Sequence, residues 1–179
     1  MPRTCVLVIA VVLAITGCQS EDSDPAGDPG ATPNPTTIRS GLASQFAGDH
    51  PGSRENTEGK CFAEALTAMI SPDQLRSAGV LDASYDVVAE PPPLPDELAV
   101  HWAHAQLTCT DFVEASTRAQ VKVTKGALDS EAYAACLRQK LTDEEIQSAV
   151  AASLSGHFDA PAVGDLSSAQ SACAQRAAP

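Results

Sequence analysis

The residues best equipped for chemistry here are six cysteines, four histidines and a few acidic clusters. His101-Trp102-Ala103-His104 sets two imidazoles at i, i+3, a spacing that lets a helix offer both to one metal ion. Zinc needs further ligands, and neither an H-E-x-x-H nor a C-x-x-C pattern supplies them. At 100° per residue, His101 flanks the apolar stripe of its helix and His104 faces solvent, so both read as surface or boundary histidines. Asp143-Glu144-Glu145 looks like an acid/base cluster. It sits at a helix start, though, where the free N–H groups and the dipole favour negative charge. No G-x-S-x-G elbow marks a nucleophile. Neither G-x-G-x-x-G nor G-x-x-x-x-G-K-[ST] offers a phosphate cradle. The expectation is therefore no catalysis, no bound metal and no cofactor.

Cysteine position carries more. Arg3 and the amino terminus form a positive start, and Cys5 to Ile15 form an apolar run. A spanning helix needs about 20 apolar residues, so this run fits an export signal instead. It closes on Ile15-Thr16-Gly17-Cys18, which resembles the bacterial lipobox: an aliphatic residue, two small residues, then cysteine. The resemblance implies diacylglyceryl attachment at the Cys18 sulfur, cleavage before Cys18, and display on the outer face of a cell membrane. Two or more acyl chains hold a protein stably at about 0.8 kcal/mol per buried CH₂.

Cys5 leaves with that signal, and Cys61, Cys109, Cys136 and Cys173 remain. An even number in an exported chain reads as disulfides, with three connectivities open. The formal net charge is −12, from 11 Lys and Arg against 23 Asp and Glu. Such a surface repels phosphate backbones and argues against nucleic-acid binding.

These residues need elements to hold them. The signal covers residues 1–17. Residues 18–57 are rich in Ser, Asp, Gly, Pro and Thr and read as the lipidated cysteine plus a tether. Within it, Ile38, Leu42 and Phe46 keep helical spacing. His50 has no assigned role. Residues 58–179 read as an all-α, disulfide-linked bundle of five to six helices. Phe62, Leu66, Met69 and Ile70 mark a buried helical face. Ser71-Pro72-Asp73-Gln74 and Thr142-Asp143-Glu144-Glu145 are capping boxes, with stops expected near Gly79 and Gly156. Residues 82–95 form a loop ending in a stiff Pro91-Pro92-Pro93-Leu94-Pro95 stretch. From Pro95 one long helix carries Leu98, Trp102, Ala105, Cys109 and Phe112 on one side. Val100 and Leu107, on the other side, are expected to be buried.

The two halves repeat an order: cysteine, capping box, amphipathic helix, glycine, loop, helix, cysteine. This weak internal repeat nominates Cys61–Cys109 and Cys136–Cys173 as the disulfides. The pattern is similar to cysteine-bounded helical modules in secreted and lipid-anchored proteins of high-GC Gram-positive bacteria, a resemblance with no function attached. The leading functional expectation is a lipid-anchored, non-catalytic interaction module that binds an unidentified envelope protein or ligand. The alternatives are a small-ligand or metal pocket near Trp102 and His101, and an extracytoplasmic hydrolase without a sequence signature.

Overall fold

The computed structural model describes residues 32–178, which form eight helices joined by turns and one isolated bridge. The first, α1 (Pro35–Ala47), starts where the Asn34 side chain accepts from the N–H groups of Thr36 and Thr37 and Pro35 takes the first helical position. Both features suit the unpaired donors of a helix start. After a short turn, α2 (Ser53–Met69) folds back along it. Gly59 makes the approach close: a Cβ there would lie 2.5 Å from the Ala43 carbonyl oxygen. Ile38 and Leu42 of α1 are each 1% exposed, in one core with Phe62 and Leu66 of α2. Phe46 stacks on Phe62 at 4.5 Å, and Phe62 meets Trp102 at 5.0 Å.

Among the described residues, helices packed into the core therefore start at Pro35, within the stretch read as a tether, and not only from residue 58. The apolar triad at 38, 42 and 46 is the cause, because α2 gives it a surface to bury against. Residues 1–31, with the expected signal, Cys5 and Cys18, lie outside the described residues.

Three helix junctions share one construction. Ile70 ends α2 with φ −128°, ψ 129°, and Ser71 caps α3 (Pro72–Ser77). Leu141 ends α6 (Ser130–Lys140) with φ −127°, ψ 134°, and Thr142 caps α7 (Asp143–Leu154). Both capping boxes are complete, with Gln74 and Glu145 reaching back to the cap N–H. Between them, α4 (Asp96–Cys109) stops at extended Thr110, and Asp111 caps α5 (Phe112–Val123). The long helix expected to run through Phe112 is thus two helices. The Asp111 carboxylate accepts from the Glu114 N–H at 2.9 Å and offers the chain a fresh start. This break and α1 account for eight helices where five to six were expected.

α8 (Pro161–Arg176) completes the chain. Disulfides join Cys61 to Cys109 and Cys136 to Cys173, each with Cα atoms 5.6 Å apart. Gly79 and Gly156 stand at φ +74° and +77° after α3 and α7, the left-handed stops that glycine adopts without strain. Two apolar clusters result. One gathers α1, α2, α3, α4 and the 80–94 segment; the other gathers α5, α6 and the end of α8 around Tyr133, Leu137 and Cys173. Helix α7 ties them together, packing on both α4 and α8.

The 82–95 loop is ordered by its own hydrogen bonds. Leu81 and Val87 form an antiparallel bridge. The Tyr85 hydroxyl donates to Asp73 at 2.6 Å, and the Arg76 guanidinium lies over the Tyr85 ring. The Leu94 N–H reaches the Leu154 carbonyl at 2.9 Å, tying the proline stretch to the end of α7.

Candidate functional surface

His104 is exposed and His101 half-buried on α4, the placement that the helical angles give. Trp102 is 9% exposed and packed on Phe62, so it belongs to the core. His101 borders a shallow pocket with Met69, Gln74 and Leu98. Among the described residues, no three His, Cys, Asp or Glu side chains converge as metal ligands. No helix among them is long and apolar enough to cross a membrane.

The larger opening between the halves lies farther along α4. A cleft of about 1020 Å³ runs where α4, α5, α6 and α7 meet. Leu107, Phe112 and Leu141 give it apolar wall, and His104, Arg138 and Gln147 give it polar wall. Beside it, the Arg138 guanidinium sits 3.5 Å from the Asp111 carboxylate. The Asp111 carboxyl is held below its ordinary value, first by the Glu114 N–H and then by Arg138. Glu145 is held below its ordinary value by the Thr142 N–H and hydroxyl. Both carboxylates serve helix starts, Asp111 as the cap of α5 and Glu145 in the capping box of α7. The Thr110 hydroxyl is buried in the cleft wall with no partner.

Leu107 is half-buried in this cleft, while Val100 is 48% exposed. The expected burial of Val100 fails because α7 covers another side of α4, leaving the Asp96–Val100 side to solvent. The other large exposed apolar side chains among the described residues are Met69, Val123 and Phe158.

Phe158 stands out by its setting, and sequence reasoning missed it. It is 72% exposed in the turn between α7 and α8. That turn is well tied. The His157 N–H donates to the Ala152 carbonyl at 2.9 Å, and the Ala160 N–H to the His157 carbonyl at 3.0 Å. The His157 ring lies 3.7 Å from the Asp96 carboxylate. A Cβ at Gly156 would meet Pro93 at 3.4 Å. So a turn anchored to Pro93, Leu94 and Asp96 holds an aromatic ring in water. A lone aromatic in a polar turn has no periodicity to betray it, and only its exposure singles it out.

Comparison with protein-family models, with curated proteins and with solved structures finds no match to this chain. The functional reading therefore rests on its own residues.

Proposed function

We propose that this chain is a lipid-anchored, extracytoplasmic interaction module without catalytic activity, fixed to the membrane through lipid on Cys18. The observation that carries it is Phe158, an aromatic side chain 72% exposed on a turn tied to two helices. Aromatic side chains, Phe among them, are enriched at protein interfaces relative to the rest of the surface. Their exposure is unfavourable until a partner covers them. The fold reads as a tandem of two four-helix units, α1–α4 and α5–α8. Each carries a disulfide from its second helix to its fourth, and a capped helix between. In this reading the unit is a scaffold, and α7 locks the two copies into one body.

Two experiments test the proposal. In-cell chemical cross-linking of the tagged full chain should yield one dominant envelope partner, and no partner above background would count against the module. Cys18→Ala should release the protein from the membrane fraction and remove the lipid mass. Retention of that variant, with no lipid on the unaltered chain, would refute the anchor.

The cleft at the α4–α7 junction favours a second reading, a small amphipathic ligand. Its open shape, with an apolar wall beside Arg138 and His104, fits a ligand with one polar end. Ligand-observed NMR against a fragment set, with Leu107→Ser as the blocked control, distinguishes this from the first reading.

A further inference from the structure

The exposed apolar side chains have different electrostatic settings. Val123 ends α5 between Lys122 and Lys125. Phe158 lies in the opposite environment. No Lys or Arg occurs between Arg76 and Arg118, and none between Lys140 and Arg176. Those two stretches supply the 78–95 segment, α4, α7, the turn bearing Phe158, and α8 up to its last residue. They also pack on one another, since α7 lies on α4 and α8 and the Leu94 N–H bonds to the Leu154 carbonyl.

The elements around Phe158 therefore form an acidic surface without cations of their own. Asp159 adjoins Phe158. The Asp96 side chain, 78% exposed, has the His157 ring as its neighbour and no Lys or Arg partner among the described residues. Val100 follows Asp96 by one helical turn and is 48% exposed. Pro92 and Pro93 are exposed beside the same turn. Several acids on other elements do have Arg partners: Glu114 pairs with Arg54 and Arg118, Asp111 with Arg138, and Asp73 with Arg76.

We infer that the face built by Pro93, Asp96, Val100, Phe158 and Asp159 docks a Lys- or Arg-bearing polypeptide segment, whose apolar side chain seats against Phe158. This rests on the interaction-module reading and names its partner's chemistry. The charge complementarity selects the occupant. A second copy docking through the same face would bring another acidic surface and be repelled. A basic segment is steered in by the unmatched carboxylates, and burial of Phe158 and Val100 supplies the anchor. The rim charges set approach and partner choice more than lifetime.

The test places a photo-cross-linking amino acid at 158, at 100 and at 123 in the full, membrane-attached chain, and sequences the captured peptide. The expected result is one shared segment at 158 and 100, net positive and carrying a large apolar residue. Position 123 should not capture it. Asp96→Lys with Asp159→Lys, both on exposed side chains, should lower the yield about tenfold, at unchanged protein level and with both disulfides intact. A neutral or acidic segment, a second copy of this chain, or a yield indifferent to the charge reversal overturns the basic partner and leaves the module standing. Capture at 123 alone overturns the face. No capture at any position overturns the module as well.

Discussion

Replacing Ile38 and Leu42 by alanine tests whether α1 belongs to the folded body, since the composition around it reads as a tether. Both side chains are 1% exposed. Truncating a buried Ile or Leu to Ala costs about 2–5 kcal/mol, the transfer loss plus the cavity left behind. The two sites are one turn apart and share neighbours, so the pair will not add strictly. Even so, about 4–8 kcal/mol is comparable to the whole stability of a domain, about 5–15 kcal/mol. At about 3 °C per kcal/mol for a domain of this size, each single variant should lose about 6–15 °C in Tm. Arg39→Ala, exposed on the same helix, should move Tm by no more than about 2 °C. Gly59→Ala adds a test of sign. In a free helix interior, alanine is better than glycine by about 1 kcal/mol. Here the new Cβ would sit 2.5 Å from the Ala43 carbonyl oxygen and push α1 away, at about 1–3 kcal/mol. The assay is thermal unfolding followed by circular dichroism, disulfides intact. Unchanged melting for Leu42→Ala together with a raised Tm for Gly59→Ala would refute the packing of α1 on α2.

Other outcomes follow from the same geometry. Cys61 and Cys109 are half-buried, whereas Cys136 is 8% and Cys173 0% exposed; graded reduction of the native protein with thiol mass-tagging should label 61 and 109 first, and the reverse order would contradict the burial. Loss of either bridge should cost about 4 kcal/mol through the freed unfolded chain, read as a drop in the denaturant midpoint. The carboxyls of Asp111 and Glu145 are held below their ordinary values in the folded state. Their contribution is therefore full above about pH 5 and is lost as pH falls through the lowered values. Tm should hold from pH 7 to about 5 and then fall, less steeply in Asp111→Asn; equal slopes would remove Asp111 from the account. Alanine at Gly79 or Gly156 must take a left-handed φ, at about 1–2 kcal/mol. Gly79→Ala should be the worse, because its Cβ meets Pro92 at 2.9 Å against 3.4 Å to Pro93 for Gly156, and equal melts would contradict that.

What was legible in the sequence was local. Ser71 with Gln74 and Thr142 with Glu145 announce their helix starts because cap and partner lie within four residues. The repeat they define also led to the observed cysteine pairing, since each cysteine sits on a helix whose register the box fixes. The helix α1 was not legible as part of the body. Its triad is flanked by polar and glycine-rich chain, and its burial depends on Phe62 and Gly59 in another helix. The break at Thr110 was hidden because the apolar stripe continues through Phe112, although Asp111 is a good cap. Of the pair Trp102 and His101, only His101 borders a pocket, because the Trp102 ring packs on Phe62, and the larger cleft opens farther along α4 at Leu107. Val100 was misplaced for a related reason. A helical angle tells which residues share a side, and only the neighbouring helices decide which side is covered.

The central claim is that Phe158 is the anchor of a displayed interaction surface. The most direct measurement is the amount of cross-linked partner recovered from cells carrying the unaltered chain, Phe158→Ser or Val123→Ser at matched expression. Both side chains are more than two-thirds exposed, at 72% and 75%, so neither change disturbs the core. The account predicts at least a tenfold loss of partner for Phe158→Ser and none for Val123→Ser. Equal recovery from all three chains would contradict it.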